Sequence, residues 1–361
     1  MHVATHSFRG RRTRSGTVSG CGDATARPAE EPRHLPLFSD PERRSLVTRD
    51  RFLPRLAQTV PTLLLVSLMV FGLQRLLPGD PAVVLAGDQP DPAVIAEIRH
   101  RLLLDQPVAF QYLHWLWGLL RGDLGFSWRI GEPVAALIAQ KLPVTLQLAA
   151  MGFAVGIGIG IPAGIVSAVK RDTAWDWAAN VVGLAGISVP NFWIGILLIL
   201  LVCVDLGWLP PSGYVPLTED WRLSLATTVL PAFVLGTNIA ATLMRHTRSA
   251  MLTALDQDYV RTARAKGLGE RAVVMRHALR NALVPVVTLG ALEFGTLLSG
   301  AVLIEQVFSI PGFGKLVVDS VFNRDYAVVQ GVVMVTAALF IALNLVADAL
   351  YLAINPRLRD A

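Results

Sequence analysis

The stretch DYVRTARAKGLGERAVVMRHALRNALVP, Asp258 to Pro285, decides how the chain is read. It carries Arg261, Arg264, Lys266, Arg271, Arg276 and Arg280 against only Asp258 and Glu270, yet apolar segments of membrane length flank it on both sides. Thr262 to Lys266 favours helix, Gly267 and Gly269 interrupt it within one turn, and a helical pattern resumes from Ala272 and is expected to stop at Pro285. Glycine adopts the positive φ that ends a helix at little steric cost, so the stretch reads as helix, glycine elbow, helix. A stiff basic elbow held between two spans has the form of a docking part, and the rest of the chain reads as what positions it.

Working outward, the composition states the solvent. Of 361 residues, 53% are hydrophobic and 16% charged, with mean hydropathy +0.51. A soluble domain carries about a quarter charged residues. The apolar residues cluster in runs of roughly twenty or more, the length that crosses a bilayer core as helix. The expected fold is an all-α polytopic membrane protein. The net charge of +5 is then a matter of topology before ligands, and no nucleic acid is expected as partner. Cys21 and Cys203 are too few for a disulfide framework or a metal site.

Residues 1–50, rich in Arg, Ser, Thr, Gly and Pro, read as a disordered basic tail, because they cannot bury enough apolar surface to fold. Val18-Ser19-Gly20-Cys21 superficially resembles a lipoprotein cleavage box, but the apolar run such a signal needs is replaced by GRRTRSG. Residues 51–361 read as one transmembrane domain of six spans, at about 56–77, 143–169, 177–204, 225–244, 282–307 and 326–354. An outer loop at 78–142 holds an amphipathic surface helix carrying Phe110, Leu113, Trp117 and Leu120, and a second long loop at 245–282 holds the elbow. With the N-terminus inside, 23 Lys and Arg fall on the cytoplasmic side and 8 on the other, so both termini and the elbow are expected in the cytoplasm.

Within the spans, Gly152, Gly156, Gly160 and Gly164 recur every four residues on one face, which lets a second helix approach closely. Helix packing is the ordinary reading of that stripe, a moving gate contact the other. Pro190 and Pro231 are expected to bend their helices. Ionisable residues at membrane depth are functional candidates by default. Glu293, near the middle of the fifth span, reads either as facing a translocation path or as hydrogen-bonded inside the bundle. Glu305 and Asp348 read as structural. No phosphate-loop spacing is present, since Gly312-Phe313-Gly314-Lys315 lacks both the spacing and the following hydroxyl, and no zinc-protease or serine-hydrolase motif appears. No catalytic residue and no resident cofactor or metal are expected.

A basic helix–glycine–helix also has the outline of a DNA reader, but a turn tethered to two spans has little freedom to enter a groove. Anionic lipid would attract the charge but would require neither the glycine break nor the small Ala263 and Ala265. A cytoplasmic protein partner accounts for more.

Thr262-Ala263-Arg264-Ala265-Lys266-Gly267-Leu268, followed by Arg276-His277-Ala278-Leu279-Arg280-Asn281-Ala282 and Pro285, resembles the coupling signature of ABC-importer permeases, and within them the dipeptide, oligopeptide and nickel branch. The resemblance extends from about Phe52 to the end. It takes in Arg75-Leu76-Leu77-Pro78-Gly79-Asp80-Pro81, Gly122-Asp123-Leu124-Gly125, Ser299-Gly300-Ala301-Val302, Glu305, Pro311-Gly312, Arg324-Asp325, Gln330-Gly331, Asn344-Leu345 and Asp348. Two departures stand out: the Glu that opens the general permease signature is absent, and Ile354-Asn355-Pro356-Arg357 has Asn where the family usually has Asp. The resemblance implies a type I importer permease in a prokaryotic cell membrane. Its implied partners are a second permease subunit, normally a different one, two cytoplasmic ATPase subunits that bind the ATP, and an extracytoplasmic solute-binding protein. It implies ATPase coupling through Arg261, Thr262, Ala263, Arg264, Lys266, Gly267 and Leu268, and transport of peptides, nickel chelates or another small solute by alternating access. Thr237, Asn238 and Glu293 are the candidates for lining the path. The competing class, an ion-coupled secondary transporter, would need an internal repeat and a mid-membrane ion site, and no convincing repeat is seen.

Overall fold

The computed structural model describes residues 41–76, 80–86 and 91–354; most of the tail, Pro78-Gly79 of the first turn and Asn355-Pro356-Arg357 lie outside them. The elements are α1 (Pro41–Leu76), α2 (Pro81–Ala86), α3 (Pro92–Arg101), α4 (Val108–Leu120), a two-residue hairpin of β1 (Phe126–Ser127) and β2 (Glu132–Pro133), α5 (Val134–Val169), α6 (Ala174–Ser188), α7 (Asn191–Leu198), α8 (Trp221–Leu255), α9 (Asp258–Ala265), α10 (Glu270–Ala272), α11 (Leu279–Val307), α12 (Phe313–Phe322) and α13 (Tyr326–Ile354). The strands pair antiparallel, Phe126 opposite Pro133 and Ser127 opposite Glu132.

Among the described residues, five helices are long and apolar enough to cross a membrane, and α6 with α7 makes a sixth if the bent pair counts as one span. That pair covers the third span expected from sequence and is bent at the place where Pro190 was expected to bend it. It turns by 101° at Val189-Pro190. Proline pushes the preceding residue out of the helical region, and Val189 sits at φ −87°, ψ 127°. Beyond α7 the chain continues as a π-helix over Ile199–Asp205. Pro231, by contrast, lies inside an unbroken α8, and Pro285 does not stop its helix. The segment Glu270–Val307 runs as one 38-residue helix through Pro285, with a π-helical stretch at Val273–Ala278. Proline is tolerated within a membrane span where neighbouring helices, hydroxyl side chains or local π-helical adjustments satisfy the backbone groups it frees.

The central strut is α8. In its most apolar stretch 56% is buried, against 22–28% in the other four long spans, so the bundle is built around it. Leu230, Val234, Leu235, Ile239 and Leu243 of α8 meet Leu148 and Ala149 of α5, and Val286, Leu297, Ala301 and Ile304 of α11. Asp220 caps the entry to α8, its carboxylate accepting from the Arg222 and Leu223 amides at 2.8 and 3.2 Å.

The outer-loop helix α4 presents its apolar residues outward. Phe110, Leu113, Trp117 and Leu120 of α4 are all exposed, whereas Gln111 is buried. The polar groups of this helix face α1: Tyr112 and Ser67 share a hydrogen bond of 2.9 Å, and Gln111 accepts from Arg75, the cation inside the first span. Arg75 also lies 5.1 Å from the centre of the Phe71 ring. An intramembrane cation requires such partners.

Candidate functional site

The elbow is assembled from the end of α8, the short α9 and the start of the next span. Gln257 is extended, at φ −77°, ψ 150°, and redirects the chain into α9. Two residues of α9, Val260 and Ala263, are buried, while Arg261, Thr262, Arg264 and Ala265 are exposed. The helix closes with the Gly267 amide donating to the Arg264 carbonyl at 2.9 Å and the Leu268 amide reaching back to the Ala263 carbonyl at 3.4 Å. This is the glycine-terminated closure in which the residue after the cap must be left-handed, and Gly267 has φ +77°. Gly269 then returns to extended geometry and the chain re-enters helix at Glu270.

Two features stiffen the turn. The Arg264 guanidinium donates twice to the Glu270 carboxylate, at 2.7 and 3.2 Å, strapping α9 to the following helix. That hydrogen bonding raises the already high pKa of Arg264. Both side chains are about half exposed. Arg264→Ala is therefore expected to lower stability by no more than about 1 kcal/mol in a thermal melt, and a larger loss would show that the strap carries more than an exposed pair should. Stiffness comes mainly from below. Val260 and Ala263 pack with Met251 and Ala254 of α8, Val273, Val274 and Ala278 at the start of the next span, and Ala168 at the end of α5. Burying each of the larger side chains is worth about 1.5–3 kcal/mol. Three spans thus share one apolar foundation for α9.

That foundation reassigns one residue. Ala263, grouped by sequence with the docking positions, points inward and is only 5% exposed. Its small size serves packing within the chain. Arg261, Thr262, Lys266, Gly267 and Leu268 remain on the outside with Arg264, and Leu268 presents an apolar side chain, 42% exposed, among the basic ones.

A polar knot, not anticipated from the sequence, lies beside the foundation. The buried carboxylate of Asp176, in the first turn of α6, accepts from Arg248 Nε and Nη2 of α8 at 2.8 Å each. It also accepts from Ser167 Oγ at 2.5 Å, Asn180 Nδ2 at 2.8 Å and the Asp172 amide at 3.1 Å. Ser167 adjoins Ala168, and Arg248 is one turn from Met251, both foundation residues. The pairing joins α5, α6 and α8 at the end of the bundle that bears the elbow. The one local signal was an acidic residue inside a tryptophan-rich apolar start, Trp175-Asp176-Trp177.

The glycine stripe faces α8 along its length. A β-carbon would fall 3.1 Å from Leu235 Cβ at Gly152, 2.6 Å from Ile239 Cγ2 at Gly156, 2.6 Å from the Ala240 carbonyl oxygen at Gly160, and 2.6 Å from the Met244 carbonyl oxygen at Gly164. The stripe is a packing seam. The path candidates are more scattered. The Thr237 hydroxyl is spent on the Val234 carbonyl at 2.7 Å, Asn238 is exposed, and half-buried Glu293 accepts from Thr296 Oγ1 at 3.3 Å. No hydrogen bond joins any two of these three among the described residues.

Glu305 is fully buried at the far end of α11. It accepts from Thr145 Oγ1 at 2.5 Å and from the Lys315 amide at 2.7 Å, while the Phe313 amide donates to that same threonine at 2.8 Å. The start of α12 thus holds the chain's own carboxylate, as a helix N-terminus holds an anion. Gly312 allows the approach, for a β-carbon there would lie 2.3 Å from the Glu305 carboxyl carbon. The Asp348 side chain falls outside the described residues. Among the described residues no group of His, Cys, Asp and Glu could hold a metal ion.

Residues 160–360 match the family described as binding-protein-dependent transport system inner membrane component, and residues 50–149 match its N-terminal companion. The chain is 45% identical over 307 residues to a Brucella abortus (strain 2308) protein named as a peptide transport system permease, covering 85% of this chain and 98% of the relative. It is 43% identical over 305 residues to the glutathione transport system permease GsiC of Escherichia coli (strain K12), covering 84% and 97%. In fold it is similar to a chain of the methionine ABC transporter MetNI, solved in inward facing conformations, with TM-score 0.51 and 18% identity over 61% of this chain and 97% of that one. Multiple spans, the basic elbow between two of them and these matches over most of its length lead to one assignment: the chain belongs to the binding-protein-dependent inner membrane permeases, the membrane components of ABC importers.

Proposed function

We propose that this chain is a pore-forming subunit of an importer for peptides or peptide-like solutes such as glutathione. It works beside a second permease subunit, receives solute from an extracytoplasmic binding protein, and is driven by two ATPase subunits that bind the ATP. The names of the 43–45% identical relatives support the solute class. The excess of Lys and Arg on one side, 23 against 8, supports placing the termini and the elbow in the cytoplasm. In this reading residues 1–50 are a cytoplasmic appendage and 51–361 the transport domain.

The observation that carries the proposal is an exposed basic helix, closed by a left-handed glycine, seated on a foundation shared by three spans. Closure of the ATPases pulls on Arg261, Thr262, Arg264, Lys266, Gly267 and Leu268. Since α9 shares its buried contacts with α5, α8 and the span after the elbow, its displacement moves all three, and the pore opens outward. Hydrolysis restores the inward-facing form. A ligand-driven shift requires such differential contacts in the two states.

Gly267→Val tests this. Nothing lies within 4 Å of a β-carbon at Gly267, so the variant inserts and folds, but a β-branched residue in the left-handed region is strained by about 1–2 kcal/mol. Purified with its ATPase subunits, the variant is expected to lose them, or to hydrolyse ATP with at least tenfold less uptake of labelled dipeptide or glutathione per ATP. Undiminished uptake would remove the elbow from the mechanism, and uptake without ATPase subunits would point to ion-coupled transport.

A further inference from the structure

A groove of about 390 Å³ separates the end of α5 from the first turns of the helix that begins at Glu270. Its apolar lining comes from Ile165, Val166 and Val169 on one side and Val274 and Met275 on the other. Val166, Val169 and Met275 are 42–52% exposed, too open for a sealed interior. The rim carries Lys170 and Arg271, one on each wall. Neither has an ion-pair partner among the described residues, and the one carboxylate in the lining, Glu270, is taken up by Arg264. The groove's unneutralised charge is therefore positive.

Its depth is set by the spans. The apolar helix of α5 ends at Val169, one residue before Lys170, and the span after the elbow starts at Glu270. The groove thus straddles a membrane–water boundary, apolar toward the bilayer and cationic toward water. Trp175 and Trp177 are 63% and 71% exposed on the next helix, as aromatic residues are at that boundary, and Lys170 Nζ sits 5.1 Å over the Trp175 ring. A ligand matching this arrangement has an acyl chain and an anionic head.

We propose that the groove is a binding site for an anionic phospholipid, whose phosphate bridges Lys170 and Arg271 while an acyl chain lies along Val166, Val169 and Met275. A bound lipid staples the end of α5 to the first turn after the elbow. The site requires neither a particular transported solute nor the ATPase subunits, so its test is independent of the importer mechanism.

The experiment is native mass spectrometry of the full chain, released from mixed phosphatidylglycerol and phosphatidylcholine micelles, with and without ATPase subunits. Phosphatidylglycerol is expected to be retained preferentially. Each basic group near a membrane surface contributes roughly fivefold, so Lys170→Ala/Arg271→Ala should weaken retention by about 30-fold. The exchange Lys170→Arg/Arg271→Lys keeps both charges and should retain the lipid, which separates lost recognition from lost folding. Equal retention of the two lipids, or an unchanged double-alanine variant, would overturn the site. Displacement of the lipid by the ATPase subunits would overturn it too, since the groove would then be a protein contact.

Discussion

Gly160→Val is expected to prevent the bundle from assembling, whereas Gly158→Ala, two residues along the same helix, should be harmless. A β-carbon at Gly160 would lie 2.6 Å from the Ala240 carbonyl oxygen and 3.0 Å from the Cα of Ala240 and Cβ of Leu243. Backbone cannot swing aside as a side-chain tip can, so relief requires α5 and α8 to separate along a seam that also includes Gly152, Gly156 and Gly164. Overpacking a single site typically costs about 1–3 kcal/mol, and this one propagates along two helices. Gly158 has nothing within 4 Å and faces outward, so alanine there should be neutral or should add up to about 1 kcal/mol of helix propensity. The check is monodispersity and thermal melting of both variants in mild detergent. A Gly160→Val protein that melts with the wild type would mean that the two helices are not in backbone contact.

Breaking the Asp176–Arg248 pair is the second large effect. Asp176 is 4% exposed and accepts five hydrogen bonds, two of them from one guanidinium. Removing one member of a buried pair costs about 3–5 kcal/mol, because the other is left charged without a counterpart. Arg248 keeps about a quarter of its side chain exposed, so the lower end of that range is expected for Asp176→Ala. A double-mutant cycle with Arg248→Ala should show strong coupling, with the double variant less impaired than the sum of the singles. Additive losses in the cycle would place the stabilising contacts with Ser167 and Asn180 instead. The pair ties α6 to α8 next to the elbow's foundation, so the same cycle, repeated on uptake per ATP, reads whether α6 moves with α8.

Much of the architecture was legible in the chain because membrane insertion is set largely residue by residue. Runs of about twenty apolar residues mark spans wherever their neighbours lie. Gly267 declared a turn because few other residues tolerate φ near +77°. The four-residue glycine stripe declared a close helix contact, although not that its partner was α8. The continuity of helix through Pro285 and the 101° size of the turn at Pro190 were not legible, since both depend on which backbone groups the surrounding helices can satisfy.

The sites divide in the same way. Sequence alone determined a polytopic chain with a basic glycine elbow between two spans and a face of glycines for packing, because each rests on local composition or spacing. Only the tertiary structure decided that Ala263 faces inward, that Asp176 answers Arg248 from 72 residues away, and that Glu305 lies in the start of α12. These depend on which elements meet in three dimensions: a buried charge must find its counterpart wherever the fold places one, and no local pattern states where that is.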